Sequence, residues 1–397
     1  MTNLSVALKD FVPLTNSAPI PQEVFLKSLP KMLSDVQSHQ KNITDVGEVF
    51  NQLKADVGKY GVSSNYISKR ELNAISSFYS QDTQSLNVDK FVQSYKDLNN
   101  NYQGLDLEKR LVLYEELVAK LLDRWYENPT SLPDDIIHAT ATGYISPSPV
   151  QKLLSKKGWQ DITVTHSYHM GCYGAIPPLR MAVGFLASSY ATLPTAKKQI
   201  DVLHTEYSSL HNHPTKCEPA QIVSMSLFGD GFMKYSIHID KEEESTSNNR
   251  LKVLAFQDMI IPSSTGDMSL IPGPYGFSMS LSKDVPLRIC TEIYDYIVSL
   301  CSKCGWVFDD IKDEIIYALH PGGPKILDGI RDVLEIEEKQ IRHSRKILYE
   351  HGNMASTTLP YIWREIISDP EITTGTKIIS IAFGPGLTVA GVIFEKI

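Results

Sequence analysis

The feature that most constrains the fold is a regular alternation of short apolar runs with amphipathic helical patterns. In the first half of the chain, strands are predicted at residues 136–141, 162–167 and 200–206, and helices at residues 149–156 and 177–189. Short buried strands that alternate with helices are typical of a sheet covered by helices on both faces. The predicted fold class is therefore α/β.

The second half of the chain repeats this order in outline. Residues 240–250 read DKEEESTSNNR, and such a polar run is typical of a surface boundary between two units. The elements predicted after it are strands at 251–256, 315–318, 378–382 and 389–394 and helices at 286–301 and 325–334. The predicted organisation is an N-terminal unit, residues 1–243, and a C-terminal unit, residues 244–397.

Three further elements are predicted before residue 136. Residues 4–14 alternate loosely and predict a first strand, and a helix follows from Pro21, which Pro30 is expected to kink or end. Residues 104–128 place their apolar side chains on one stripe and predict a packing helix with no chemistry of its own.

Composition excludes several classes of protein. Of the 397 residues, 42% are hydrophobic and 21% are charged, as in folded globular proteins. The net charge of −8 disfavours broad binding to nucleic acid. Five scattered cysteines argue against a disulfide framework, and no run approaches the ~20 apolar residues of a membrane helix. We therefore expect a cytoplasmic protein without a nucleic-acid or membrane partner.

The first segment that carries chemistry surrounds Cys172. A predicted strand ends, Gly171 permits a tight turn, and Cys172 stands before an amphipathic helix. A thiol at a helix N-terminus meets the positive end of the helix dipole, which favours the nucleophilic thiolate. The alternative is a buried, inert cysteine, which is a common fate of a lone cysteine.

Three later segments carry weaker signals individually. A predicted strand delivers His320 into a Pro-Gly-Gly-Pro turn, at the strand end where ligands usually bind in α/β sheets. Asn353 follows Gly352 before a predicted helix and by itself suits an ordinary N-cap. A Gly-Pro-Gly turn joins the last two predicted strands, and by itself it is only a hairpin.

Taken together and in this order, these segments resemble the chalcone synthase or type III polyketide synthase family. The family shows Gly-Cys before a helix, then LFGDG, KDVP, HPGGP, GNM and FGPGLTV. The corresponding positions in this chain are residues 171–172, 227–231, 283–286, 320–324, 352–354 and 383–389. The resemblance covers the chain well from about residue 136 to its last residue, and the first ~130 residues only loosely.

The resemblance implies a thiolase fold, in which two similar α/β halves form a five-layer αβαβα sandwich. It implies a ketosynthase that performs decarboxylative Claisen-type condensation of acyl thioesters, with a short β-ketoacyl, pyrone or resorcinol-type product. Cys172 would accept the acyl group, and His320 and Asn353 would assist decarboxylation and bind the thioester carbonyl. No cofactor or metal is implied, and the substrates would be acyl and malonyl-type thioesters of coenzyme A or of a carrier protein.

The resemblance also assigns pocket residues. Phe228 and Phe383 match aromatic positions around the family's active site. Met279 stands at the place of a second gatekeeper phenylalanine and Leu270 at that of a pocket glycine, so we expect a narrow cavity. The other predicted site residues are Thr142 and His211 in the pocket and Ala382, Gly384 and Gly386 in a loop with oxyanion donors.

Two partners follow from the same resemblance. Family contacts to coenzyme A phosphates fall here on uncharged Gly61, Ser64 and Ser68, which favours an acyl carrier protein as the donor. A homodimer is expected, with Ser146 presented to the partner's cavity and a cis bond between Ser146 and Pro147.

Competing functions stay open at this point. One alternative is a non-decarboxylating acyltransferase of the same fold that joins an acyl group to an amine, an alcohol or a preformed β-keto chain. Another is a catalytically silent scaffold, which the intact Cys172, His320 and Asn353 disfavour. Cys301 and Cys304 have zinc-ligand spacing, but no second pair of ligands lies at a suitable distance along the chain.

Overall fold

The structure is a computed structural model, and it describes residues 4–41, 43, 45–96, 102–240 and 249–397. The strands are β1 Val6–Leu14, β2 Ile20–Pro21, β3 Lys69–Arg70, β4 Tyr79–Ser80, β5 Ser85–Leu86, β6 Asp135–Thr140, β7 Thr163–Tyr168, β8 Gln199–Glu206, β9 Gly231–Ile239, β10 Leu251–Ile260, β11 Met268–Gly273, β12 Gly276–Leu281, β13 Ile316–Leu319, β14 Lys377–Gly384 and β15 Thr388–Lys396. The helices are α1 Gln22–Lys41, α2 Val46–Tyr60, α3 Val88–Ser94, α4 Leu107–Trp125, α5 Pro149–Lys157, α6 Ile176–Thr192, α7 Pro219–Leu227, α8 Val285–Ser302, α9 Phe308–Ile311, α10 Pro324–Leu334, α11 Arg342–His351 and α12 Thr358–Ser368.

The predicted elements form within a few residues of their expected bounds, with one correction. The helix that begins after Pro21 continues through Pro30 to Lys41 and does not end there. Pro30 is buried, and α1 packs against α2 and α3. These tertiary contacts outweigh the cost of about 3 kcal/mol that an interior proline usually imposes on a helix.

One hydrogen-bonded sheet of nine strands links the two halves, in the order β13-β14-β15-β10-β1-β9-β8-β6-β7. The link is short, because β1 and β10 share only the pairs Ala7 with Lys252 and Leu8 with Leu251. Five of these strands therefore come from the N-terminal half and four from the C-terminal half. The predicted boundary between residues 243 and 244 lies outside the described residues.

Helices cover both sets of strands and also lie between them. α6 packs against β8, β9 and β15, and α12 packs against β1, β9 and β13, so these two helices form a central layer. α4 and α5 cover the outer face of the N-terminal strands, and α8 and α10 cover that of the C-terminal strands. The arrangement is the five-layer αβαβα sandwich of the predicted thiolase fold.

Two strands of the sheet are buried over their whole length. All six residues of β6, which include Asp135 and His138, and all four residues of β13 are buried, as is typical of strands covered on both faces. In the described parts of the chain, no helix is long and apolar enough to cross a membrane.

Candidate active site

Cys172 lies in a short 3₁₀ turn, Gly171–Tyr173, between β7 and α6. Gly171 has a φ of 63°, and a Cβ at this position would lie 2.9 Å from the Pro385 side chain. Only glycine therefore lets the nucleophile turn pass this close to the loop between β14 and β15. The cysteine residue is partly exposed and lines a cavity.

The amide of Asn353 faces the sulfur of Cys172. Its Oδ1 accepts a hydrogen bond from the Ala355 N–H at 2.9 Å, which fixes the orientation of the amide. The Nδ2 atom, the donor end of the amide, lies 3.8 Å from the Cys172 Sγ. The backbone of Asn353 is held as well, because its N–H donates to Leu227 and its carbonyl accepts from Gly229. The predicted pairing of Cys172 with Asn353 therefore has a geometric basis.

His320 begins the turn after β13, and its backbone N–H donates to the Ile381 carbonyl at 2.8 Å. The side chain is buried, and neither ring nitrogen has a hydrogen-bond partner in the described part of the chain. Burial lowers the pKa of the imidazole to about 3. The resting ring is therefore neutral, with one nitrogen as a donor and the other as an acceptor.

The sequence predicts an acidic thiol at Cys172, and this prediction is wrong for the resting structure. Burial raises the pKa of Cys172 to about 12, the hydrogen bond with Asn353 lowers it, and the charge of Glu206 raises it. The physical reason is the burial of the thiol, and because α6 starts only at Ile176 the sulfur also lies ahead of the positive helix end. Cys172 therefore rests as a thiol.

Glu206 is a buried carboxyl group that the sequence analysis did not single out. It ends β8 and accepts hydrogen bonds from the Ala141 N–H at 3.1 Å, the Thr142 hydroxyl at 3.0 Å and the Ser356 hydroxyl. Burial raises its pKa to about 7, against the lowering effect of these donors. Its only sequence signal was its place at the end of a buried strand.

A cavity of about 90 Å³ opens beside Cys172. Five residues predicted for the pocket line this cavity together with the nucleophile: Thr142, His211, Phe228, Leu270 and Met279. Leu270 and Met279 are directly opposite each other on the β11–β12 hairpin. The residues of the wall that the prediction missed include Phe277, His213, Gln221, Ser224 and Met268.

The remaining predicted site residues lie on β14 and in the turn that follows it. Phe383 packs in the apolar cluster under α8 and α10 and is not part of the cavity wall. Ala382 and Gly384 pair with Ala390 and Thr388 in the ladder between β14 and β15. Gly386 has a φ of 136° in the turn between these strands. The oxyanion role of this loop stays a prediction, as does the role of Phe383.

The comparisons with known proteins agree with this fold. Residues 252–397 match the family described as chalcone and stilbene synthases, C-terminal domain. Type III polyketide synthase C of Arabidopsis thaliana is 28% identical over 58% of this chain and 58% of its own length. Type III polyketide synthase A of the same plant is 27% identical over 74% of each chain.

Among solved structures, the C-terminal type III polyketide synthase domain of Steely1 from Dictyostelium is similar over 99% of both chains. Its TM-score is 0.76 at 21% identity, a likeness of fold. The fold is thus that of the thiolase class. The chain is similar to the type III polyketide synthase family, both in its matched C-terminal part and in the two plant relatives. The resemblance predicted from the sequence is confirmed, and the alternative of a non-decarboxylating acyltransferase is not favoured.

Proposed function

We propose that this chain is an acyl-transferring ketosynthase that condenses an acyl group on Cys172 with a decarboxylating malonyl-type thioester. The observation that carries the proposal is the fixed Asn353 amide, whose donor end faces the Cys172 sulfur at 3.8 Å. The product class is a short β-ketoacyl chain, a pyrone or a resorcinol. The cavity of about 90 Å³ supports few extensions.

Acyl loading requires a thiolate at Cys172. Because the thiol is protonated at rest, we assign its proton to the neutral imidazole of His320, which has an unoccupied acceptor nitrogen. The thiolate attacks the thioester carbonyl, the new C–S bond forms, and the donor thiol leaves with one proton. Burial disfavours a separated ion pair, so proton transfer and attack occur together.

Condensation then needs a carbon nucleophile. The malonyl carboxylate loses carbon dioxide, and the electron pair of the broken C–C bond moves to the thioester oxygen as an enolate. The Asn353 amide and a ring N–H of His320 are two donors for this oxygen, and one such donor contributes roughly 3 kcal/mol to the transition state. The enolate carbon then attacks the acyl carbonyl, the C–S bond to Cys172 breaks, and the thiolate regains a proton.

Release of carbon dioxide from a malonyl thioester tests this proposal. Asn353→Ala should lower the rate of release by 100-fold or more, on the scale of about 3 kcal/mol for one lost donor. Cys172→Ala should still release carbon dioxide, because the enolate donors are separate from the nucleophile. The proposal fails if the wild-type protein releases none, or if Asn353→Ala releases it at the wild-type rate.

We propose an acyl carrier protein as the donor of the acyl group. Ser68 stands where the family has a basic contact to coenzyme A, and both its N–H and its hydroxyl donate to the Tyr349 carbonyl. Its hydroxyl is therefore unavailable to a phosphate. Comparison of kcat/KM for one acyl group on coenzyme A and on a carrier protein tests this, and a preference for coenzyme A contradicts it.

We also propose that the protein is a homodimer. β7 is an edge strand of the sheet, and the end of α6 behind it exposes Tyr190 and Leu193. The peptide bond between Ser146 and Pro147 is cis, as expected from the sequence, in the turn assigned to the interface. Light scattering at activity-assay concentrations tests the dimer, and a fully active monomer contradicts it.

A further inference from the structure

Arg70 is a buried cation that takes no direct part in the proposed reaction. It ends the short strand β3, and its side chain has no exposed surface. Burial lowers the pKa of Arg70 to about 9, so the group stays charged at pH 7. The guanidinium lies over the Phe25 ring, 4.6 Å from the ring centroid. Because removing a charge from water is costly, the groups that bind this guanidinium must offset that cost.

Two of these groups lie at the end of α7, next to the cavity. The Nη1 atom of Arg70 donates to the Met225 carbonyl at 2.8 Å and to the Phe228 carbonyl at 2.5 Å. The Nε atom donates to the Gln22 Oε1 at 2.8 Å, which fixes the guanidinium from its other edge. Arg70 therefore holds the last turn of α7 and the residue that follows this helix.

The residues that follow α7 also hold the backbone of Asn353. The Asn353 N–H donates to the Leu227 carbonyl at 3.0 Å, and the Gly229 N–H donates to the Asn353 carbonyl at 2.9 Å. Phe228 and Asn353 thus form a single bridge outside the strands. Arg70 binds the carbonyl directly after the one that Asn353 binds.

The stem of Arg70 also packs against the glycine that precedes Asn353. Gly352 has a φ of 71°, and a Cβ at this position would lie 2.7 Å from the Arg70 Cδ and 2.7 Å from the Leu227 carbonyl oxygen. Only a glycine lets the turn approach this closely. The position of Asn353 is therefore set in two ways, by hydrogen bonds to residues 227–229 and by the contact of Gly352 with the arginine.

We infer that Arg70 is a positioning residue, which holds the Asn353 amide toward the Cys172 sulfur through residues 227–229. The inference rests on the proposed function, because it concerns the donor that binds the enolate oxygen. A donor stabilises a developing charge most when it is already held in place. In the described part of the chain, Arg70 donates only to the Gln22 side chain and to two backbone carbonyls, so it acts through Asn353.

The test measures the release of carbon dioxide from a malonyl N-acetylcysteamine thioester by Arg70→Lys, alone and combined with Asn353→Ala. Lysine keeps the charge but cannot reproduce the contacts at both edges of the guanidinium. Alone, the substitution should lower the rate by roughly 10- to 100-fold, the scale of a misplaced catalytic group. Combined with Asn353→Ala, it should lower the rate little further, because the amide that Arg70 positions is already absent.

Gln22→Met is the second variant, because it removes the acceptor of the Arg70 Nε and leaves the charge in place. It should also lower the rate, by less than Arg70→Lys does and only when the Asn353 amide is present. Gln340→Met is the matched control, since Gln340 is buried and donates to two backbone carbonyls outside residues 227–229. This control should release carbon dioxide at a rate close to that of the wild-type protein.

Acyl loading of Cys172, followed by intact mass, shows whether each variant is folded. Equal release by wild type and Arg70→Lys overturns the inference. It is also overturned if Arg70→Lys lowers the rate as much in Asn353→Ala as it does alone, since that indicates a general structural effect. If Arg70→Lys does not load, Gln22→Met decides the question by the same comparison. Absence of release from the wild-type protein would instead contradict the proposed function.

Discussion

Replacement of Glu206 by glutamine should change how the stability of this protein depends on pH. The carboxyl is fully buried, and its pKa rises from 4.5 to about 7. The folded state thus holds the proton more tightly than the unfolded chain does. The contribution of this group to stability is fully present below pH 4.5 and is lost as the pH rises through about 7.

The size of the effect follows from the same values. At about 1.4 kcal/mol for each pKa unit, the difference between the folded and unfolded pKa of Glu206 corresponds to about 3 kcal/mol of stability. Roughly 2–3 kcal/mol of this contribution is lost between pH 5 and pH 8. Glutamine keeps the shape and one acceptor but does not titrate. The free energy of unfolding of Glu206→Gln, relative to wild type, should therefore rise by this amount between pH 5 and pH 8.

Urea denaturation of both proteins at pH 5 and at pH 8 measures how the stability difference between variant and wild type changes with pH. A constant cost from rearranged hydrogen bonds to Thr142 and Ser356 cancels in it. Glu71 and Asp230 are buried carboxyls with raised pKa values as well, and their contributions cancel because they are present in both proteins. Glu108→Gln, at an exposed position, is the control. Parallel curves for wild type and Glu206→Gln would refute the reasoning.

Three further predictions concern the site. Leu270→Gly should lengthen the products or broaden the range of accepted starters, and unchanged products by mass spectrometry contradict this. Because the Leu270 side chain is half-buried, the substitution should lower the free energy of unfolding by an amount near the lower end of about 2–5 kcal/mol. The rate at which iodoacetamide alkylates Cys172 should increase from pH 7 to pH 10, because burial raises the pKa of the thiol; a flat rate profile from peptide mapping contradicts it. Cys172→Ala should abolish acyl loading but leave the unfolding free energy almost unchanged, and persistent loading by intact mass would assign the nucleophile elsewhere.

Much of the fold and the site could be predicted because the information is local or carried by ordered motifs. The buried strand β6 and the proline-started helix α5 follow from period and capping residues. Cys172 and Asn353 are far apart in sequence, yet the motif order identified both, and the structure places them together. Leu270 and Met279 were predicted as pocket residues from their positions relative to a single motif, and both line the cavity.

The features that escaped prediction depend on long-range packing. The sequence places Glu206 only as the last residue of a predicted strand. The hydrogen-bond donors around its carboxyl group come from the residue after β6 and from the turn before α12, which are distant in sequence. The prediction of a low pKa for Cys172 was wrong because the sequence indicates a helix dipole but does not show that the thiol is enclosed. The stack of Phe277 on His211 depends on how the β11–β12 hairpin folds over the cavity, which no local pattern shows.

The central claim is that Cys172 carries the acyl group and that the fixed Asn353 amide donates a hydrogen bond to the enolate that attacks it. The most direct measurement is intact-protein mass spectrometry with peptide mapping after incubation with an acyl thioester. We predict a single acyl adduct on Cys172 in the wild-type protein, which is discharged when a malonyl thioester is added. An adduct on Cys217, Cys290, Cys301 or Cys304, or an adduct on Cys172 that malonyl thioester does not discharge, would contradict this account.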